Sequence, residues 1–204
     1  MMKKWLFSLS IAIAGFSALS FTASHNDPAK PGSATGNHLV APKPTADPAL
    51  IKKGEYLVTI MGCADCHSPK KFTPQGPVPD MDRFLSGHNE NEKLPPYDRN
   101  TVKDGQWAMF TGQMTAVAGI WGVSFAANLT PDETGIGNWT LEQFTKAFQQ
   151  GKYRGLDNTR MLLPPMPWPQ YANVKNEDVK AIFAYLKSLK PIKNTVPMPI
   201  PPGQ

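Results

Sequence analysis

Apolar residues recur with helical spacing in three stretches of this chain. Leu50, Gly54, Leu57 and Met61 follow one another at intervals of four, three and four, which places them on one face of a helix. Asp47 is a natural N-cap for that helix and Pro48 suits its first position. Glycine inside a helix costs up to ~1 kcal/mol. The place of Gly54 on the apolar face therefore predicts a second helix crossing closely there, with Phe183 or Tyr185 packed against the missing side chain. The first helix is expected to run straight into Cys63.

Thr140 begins the next helix. Thr140 and Gln143 have capping-box spacing, and Gly151 is a good terminator. Leu141, Phe144, Ala147 and Phe148 form its inner face. The third helix is predicted from about Glu177 to Leu189, with Asn176 as cap and Pro191 beyond its end. Val179, Ile182, Phe183, Leu186 and Leu189 line one side of it, with Tyr185 at the edge. Between Ser68 and Trp139 the helical period disappears. Gln106–Thr111 and Ala118–Phe125 read there as short strands or a hairpin. A structureless loop of that length is out of keeping with a compact domain, so an ordered insertion is expected. The pattern predicts a mainly α fold with a long loop or short β-hairpin insertion before the second helix.

The ends read differently. Lys3 and Lys4 precede Trp5–Ala23, an apolar stretch interrupted by serines and a threonine. Residues 1–23 are thus expected to be an export signal or an N-terminal membrane anchor. Residues 24–46 hold four prolines and two glycines and no aromatic residue, as a flexible linker would. The folded domain is expected over 47–190, followed by a proline-rich tail over 191–204 that extends over the surface.

The formal charge is +5, and loss of Lys3 and Lys4 with a leader would leave about +3. No basic stripe with interleaved aromatics appears, so nucleic acid is not an expected partner. Asp132 with Glu133, and the polar run His88–Glu92, read as solvated surface.

Cysteine occurs only twice, in Cys63-Ala64-Asp65-Cys66-His67. A C-x-x-C-H run is the pattern of covalent haem c attachment. Each thiol can form a thioether to one vinyl group, and His67 can present a neutral imidazole nitrogen to the iron. Three other readings of the pair compete. A thioredoxin-type centre follows a strand, whereas a helical pattern precedes Cys63. A structural zinc site needs four N or S ligands, and His25, His38 and His88 are scattered singles. A plain disulfide is the third. An export signal and one covalent haem agree with each other, and the insertion is expected to cover part of that haem. Two ionised propionates would bring the charge near +1.

A sixth ligand is sought in Met161-Leu162-Leu163-Pro164-Pro165-Met166-Pro167-Trp168. Met166 is the preferred candidate over Met161, because prolines on both sides hold its thioether with little entropy left to lose. His/Met ligation raises the reduction potential. The metal ligands expected are therefore His67 and Met166.

Taken together, Cys63–His67 after a helix, Leu163–Trp168, and Asp178–Leu186 resemble a class I cytochrome c domain. Asn128-Leu129-Thr130-Pro131-Asp132 with Gly135-Ile136-Gly137 and Trp139 is similar to the haem domains of dehydrogenase-associated cytochrome c subunits. The resemblance covers roughly residues 48–190 and implies a helical fold around one haem, with Asn128 bordering it near a propionate. Those subunits usually carry several haem sites, and this chain has one.

The expected function is a periplasmic mono-haem c-type cytochrome that carries single electrons by Fe(III)/Fe(II) cycling. It is not expected to be an enzyme. Its partners would be redox proteins such as a dehydrogenase or oxidase. The alternatives are a dedicated electron-transfer subunit of such a complex, or a haem-based sensor of small ligands with an open sixth site.

Overall fold

A computed structural model describes residues 47–203. The expected leader (1–23) and linker (24–46) lie outside the described residues. Helix α1 spans Pro48–Ile60, and the Asp47 carboxylate accepts the Ala49 N–H at 2.9 Å as its cap. It does not run straight into Cys63. The chain breaks at Gly62, which has φ +66°, and a separate five-residue helix α2 follows at Cys63–His67.

Helix α3 covers Leu141–Gln150 and carries the full reciprocal capping box. The Thr140 Oγ1 accepts from Gln143 N at 3.2 Å, and the Gln143 Oε1 accepts from Thr140 N at 2.9 Å. Phe144, Ala147 and Phe148 are buried, but Leu141 is exposed at the rim. A single turn, α4, occupies Trp168–Tyr171. Helix α5 spans Asn176–Ser188, one residue earlier than expected, with Lys175 at the cap position and no side-chain capping bond.

Helices α1 and α5 cross at Gly54. A Cβ there would lie 2.6 Å from the Ala181 carbonyl carbon and 2.7 Å from the Tyr185 Cβ. Tyr185 is thus one of the two residues expected at this contact. Phe183 instead meets the Phe144 ring, with centroids 5.2 Å apart. Lys53 and Asp178 pair at 2.5 Å beside the crossing. Val58, Val179, Ile182 and Leu186 are buried between these helices and α3, each contributing about 1.5–3 kcal/mol.

The insertion is ordered and β-structured. Strands β1 (Lys70–Thr73) and β2 (Gly76–Pro79) form an antiparallel hairpin directly after α2, which the sequence pattern did not announce. Strands β3 (Met109–Phe110), β4 (Ala116–Gly119) and β5 (Gly122–Phe125) form an antiparallel sheet in the order β3-β4-β5. Of the stretches expected as short strands or a hairpin, 118–125 holds the turn of the β4–β5 hairpin, with Gly119 opposite Gly122.

The proline-rich segment after α5 is tied into the fold. Val123 and Ile200 exchange backbone hydrogen bonds at 2.8 and 3.0 Å. Asn194 is buried, and its amide donates to the carbonyls of Ser86 (2.7 Å) and His88 (2.8 Å). His88, expected in a polar surface loop, is fully buried beside Phe125. Among the described residues no helix is long and apolar enough to cross a membrane.

Candidate functional site

Gly62 sets the start of the site. Its positive φ suits glycine, and an added Cβ would stand 2.8 Å from an Asp65 carboxylate oxygen. The chain then turns into α2. Cys63 and Cys66 stand three residues apart, on one face of that single turn, and His67 ends it. Both thiols are free and half-buried. Burial pushes the Cys63 thiol up to about 11 and the Cys66 thiol upward as well, so both are neutral at pH 7.

His67 is held by its ring. Its Nδ1 lies 2.8 Å from the carbonyl oxygen of Ala127. A carbonyl only accepts, so Nδ1 carries the proton and Nε2 is the basic nitrogen that remains. Burial pushes the imidazole below the usual histidine range; the Ala127 bond opposes that shift and Lys70 adds to it. The end of α2 is also tied down. Gly87 N donates to the His67 carbonyl at 2.8 Å, and Leu85 N donates to the Ser68 hydroxyl at 2.9 Å.

The two candidate thioethers are placed differently. Met161 is 38 % exposed, and its backbone bridges to Lys152. Met166 is half-buried and packs on the main core, as Cys63 does. Its loop is anchored at both ends. Leu162 N donates to the Gly151 carbonyl at 2.6 Å, and the Trp168 ring covers Gly151, where a Cβ would lie 2.5 Å from the ring Cε2. The Ser124 hydroxyl donates to the Pro164 carbonyl at 2.6 Å.

One strand end therefore supports both arms. Ser124 in β5 holds the methionine loop, and Ala127, three residues on, holds the histidine. Neither was legible in the sequence. Ala127 acts through a backbone carbonyl, which leaves no side-chain signal, and a lone serine in a strand is unremarkable.

Asn128 is 3 % exposed and engaged entirely within the protein. Its amide nitrogen lies near Thr134 Oγ1 (3.2 Å) and the carbonyls of Ile192 (2.8 Å) and Asn194 (3.4 Å). Its oxygen accepts from the Thr130 N–H and hydroxyl. Both N–H groups of this amide are thus engaged within the protein. Its place beside the site comes from its neighbour Ala127.

This donor set fits a covalently held haem. Two thiols lie on one helical face, one imidazole keeps Nε2 available, and a soft thioether sits on the same core. Half-buried Leu129, Trp139 and Tyr171 pack on that core as an apolar wall. Tyr171 stacks on Phe148 at 4.6 Å, and burial, together with the nearby cysteine sulfurs, pushes its hydroxyl upward.

Residues 51–190 match the cytochrome c family. The chain belongs to that family. Cytochrome c domains are electron carriers rather than catalysts, and membership implies a haem c cofactor. Similar curated proteins include the gluconate 2-dehydrogenase cytochrome c subunit of Pantoea cypripedii, 33 % identical over 141 residues, which cover 69 % of this chain and 23 % of that protein. The cytochrome c subunit of alcohol dehydrogenase (quinone) from Gluconobacter oxydans (strain 621H) is 27 % identical over 183 residues, 89 % of this chain and 27 % of that one. The fructose dehydrogenase cytochrome subunit of Gluconobacter japonicus is 30 % identical over 156 residues, 73 % and 24 % of the two chains. This cytochrome c thus spans about a quarter of the length of these curated relatives.

Proposed function

We propose that this cytochrome c is the one-haem electron-transfer subunit of a periplasmic dehydrogenase complex. Three relatives are each named as the cytochrome subunit of a dehydrogenase, which favours a dedicated subunit over a freely diffusing carrier. The chain has two cysteines, enough for one attachment site. In this reading Cys63 and Cys66 form the two thioethers, and His67 and Met166 are the axial ligands. Residues 1–23 act as export leader or anchor and 24–46 as a spacer.

A bound haem supplies one-electron Fe(III)/Fe(II) exchange, which needs no acid or base from the protein. The chain's own residues supply orientation and shelter. Ala127 fixes the His67 ring and its tautomer, the outer-shell bond that metal-binding histidines commonly make. Pro165 and Pro167 restrict the backbone around Met166, and Ser124 holds the loop that carries it. Leu129, Trp139 and Tyr171 keep water away.

The observation that carries the reading is the His67 Nδ1 bond to Ala127, which leaves Nε2 as the free basic nitrogen beside two thiols. The test is production of the full chain with the haem c maturation machinery. Haem staining that survives denaturing electrophoresis, and is lost in Cys63→Ala/Cys66→Ala, is expected. A wild-type band without stain overturns the attachment. Affinity purification from host membranes then checks the partner. Recovery of a large dehydrogenase chain supports the subunit role, and recovery of the cytochrome alone returns it to a free carrier.

A further inference from the structure

Lys70 brings a cation to the base of the attachment helix. The residue is only 8 % exposed. Its ammonium donates to the carbonyls of Ala64 (3.0 Å), Asp65 (2.8 Å) and Ser68 (2.6 Å), which accounts for all three of its N–H bonds. Carbonyls at the C-terminal end of a helix carry partial negative charge, so a lysine there is favourable. The backbone of Lys70 is held as well. Its N–H donates to Gln113 Oε1 at 2.5 Å, and it pairs with Pro79 across the β1–β2 hairpin.

Every acceptor of this ammonium is a neutral backbone oxygen. The bonded residues lie within three positions of His67. Asp65 offers its carbonyl, and its carboxylate is exposed and makes no ion pair with this ammonium. Lys71 is the contrast. It is exposed and paired at 2.8 Å with both Asp80 and Asp82, so its charge is neutralised at the surface.

We infer that Lys70 is a positioning residue whose fixed charge holds the redox equilibrium of the haem site toward the reduced state. A cation in low dielectric raises the energy of the more positive state, here the oxidised one, far more than an exposed and paired cation does. The inference rests on the reading that Cys63, Cys66 and His67 hold one haem.

The test is a spectroelectrochemical titration of the haem-loaded full chain and of Lys70→Met, Lys70→Arg and Lys71→Met. Lys70→Met is expected to move the equilibrium about threefold to tenfold toward ferric, a fall of about 28–59 mV at 59 mV per tenfold for one electron. Lys70→Arg keeps the charge and should stay near wild type, and Lys71→Met should move less than about a third as far. If Lys70→Met does not accumulate, Lys70→Gln keeps two N–H donors without the charge and is compared with Lys70→Arg in the same way. A Lys70→Met or Lys70→Gln chain that carries covalent haem at an unchanged potential overturns the inference. Equal falls in Lys70→Met and Lys71→Met do so too, because net charge would then account for both. A wild-type chain without covalent haem overturns the haem reading itself, and this inference with it.

Discussion

The Nδ1 of His67 lies 2.8 Å from the carbonyl oxygen of Ala127, sixty residues further along the chain. That bond joins helix α2 to the end of β5. The next residue, Asn128, fixes the Ala127 carbonyl in place. It uses its whole amide to bind the turn at 130–134 and the segment after α5. The imidazole is therefore aimed by a chain of buried polar contacts rather than by its own helix.

Replacing Asn128 by Ala removes several buried hydrogen bonds and leaves the Ile192 carbonyl without this donor. The expected loss is about 2–4 kcal/mol, from about 1 kcal/mol per bond and about 1–3 kcal/mol for stranded groups. Urea unfolding of the variant at unchanged m-value measures it. A loss below about 1 kcal/mol would mean that the amide does not hold this corner.

Met166→Ala should convert the reduced and oxidised spectra of the haem-loaded protein. The weak far-red methionine-to-iron band disappears and the potential falls, while Met161→Ala leaves both in place. Met161 is exposed and tied to Lys152, and Met166 packs on the core. An unchanged band in Met166→Ala would assign the ligand elsewhere.

Gly54→Ala sets two effects against each other. Alanine gains up to ~1 kcal/mol of helix propensity. The new Cβ, however, would press on the Ala181 backbone and the Tyr185 side chain. Backbone of a packed helix yields poorly, and overpacking typically costs about 1–3 kcal/mol. A net destabilisation is expected in thermal unfolding, and a stabilised variant would show that α1 and α5 can move apart at no cost.

His88 predicts an acid-side loss of stability. It is fully buried, its Nδ1 is 2.9 Å from the Thr115 hydroxyl, and its Nε2 has no partner within the protein. Burial pushes its imidazole below the usual range, with Glu92 partly opposing. As pH falls below about 6.5 the unfolded chain takes up a proton that the folded one refuses, so stability falls with pH. Denaturant midpoints of the haem-loaded protein between pH 8 and 5 should show this slope, and His88→Gln should flatten it. An equal slope in the variant would place the titration elsewhere.

Much of this protein is legible without its structure. The three helices arise from a 3.6-residue period and from caps such as Asp47, Thr140 and Gly151, all of which are local signals. The crossing at Gly54 is readable because glycine on an apolar helix face is costly unless a neighbouring element needs the space. The break at Gly62 is hidden, since the apolar period runs through it while the backbone takes a left-handed turn. The β1–β2 hairpin is hidden too, because Lys70–Pro79 is short and lacks a strong alternation.

The sequence by itself determined the helices, the Cys63–Cys66–His67 motif and the family, because covalent chemistry and helical periodicity are written in neighbouring residues. Only the tertiary structure decided what aims the site: Ala127 on His67, Ser124 on the Met166 loop, Lys70 under helix α2, and Asn194 fastening the segment after α5. All but those of Lys70 join residues distant in sequence, and they run through backbone oxygens. A carbonyl looks the same on every residue, so its role appears only once folding has brought its partner to it.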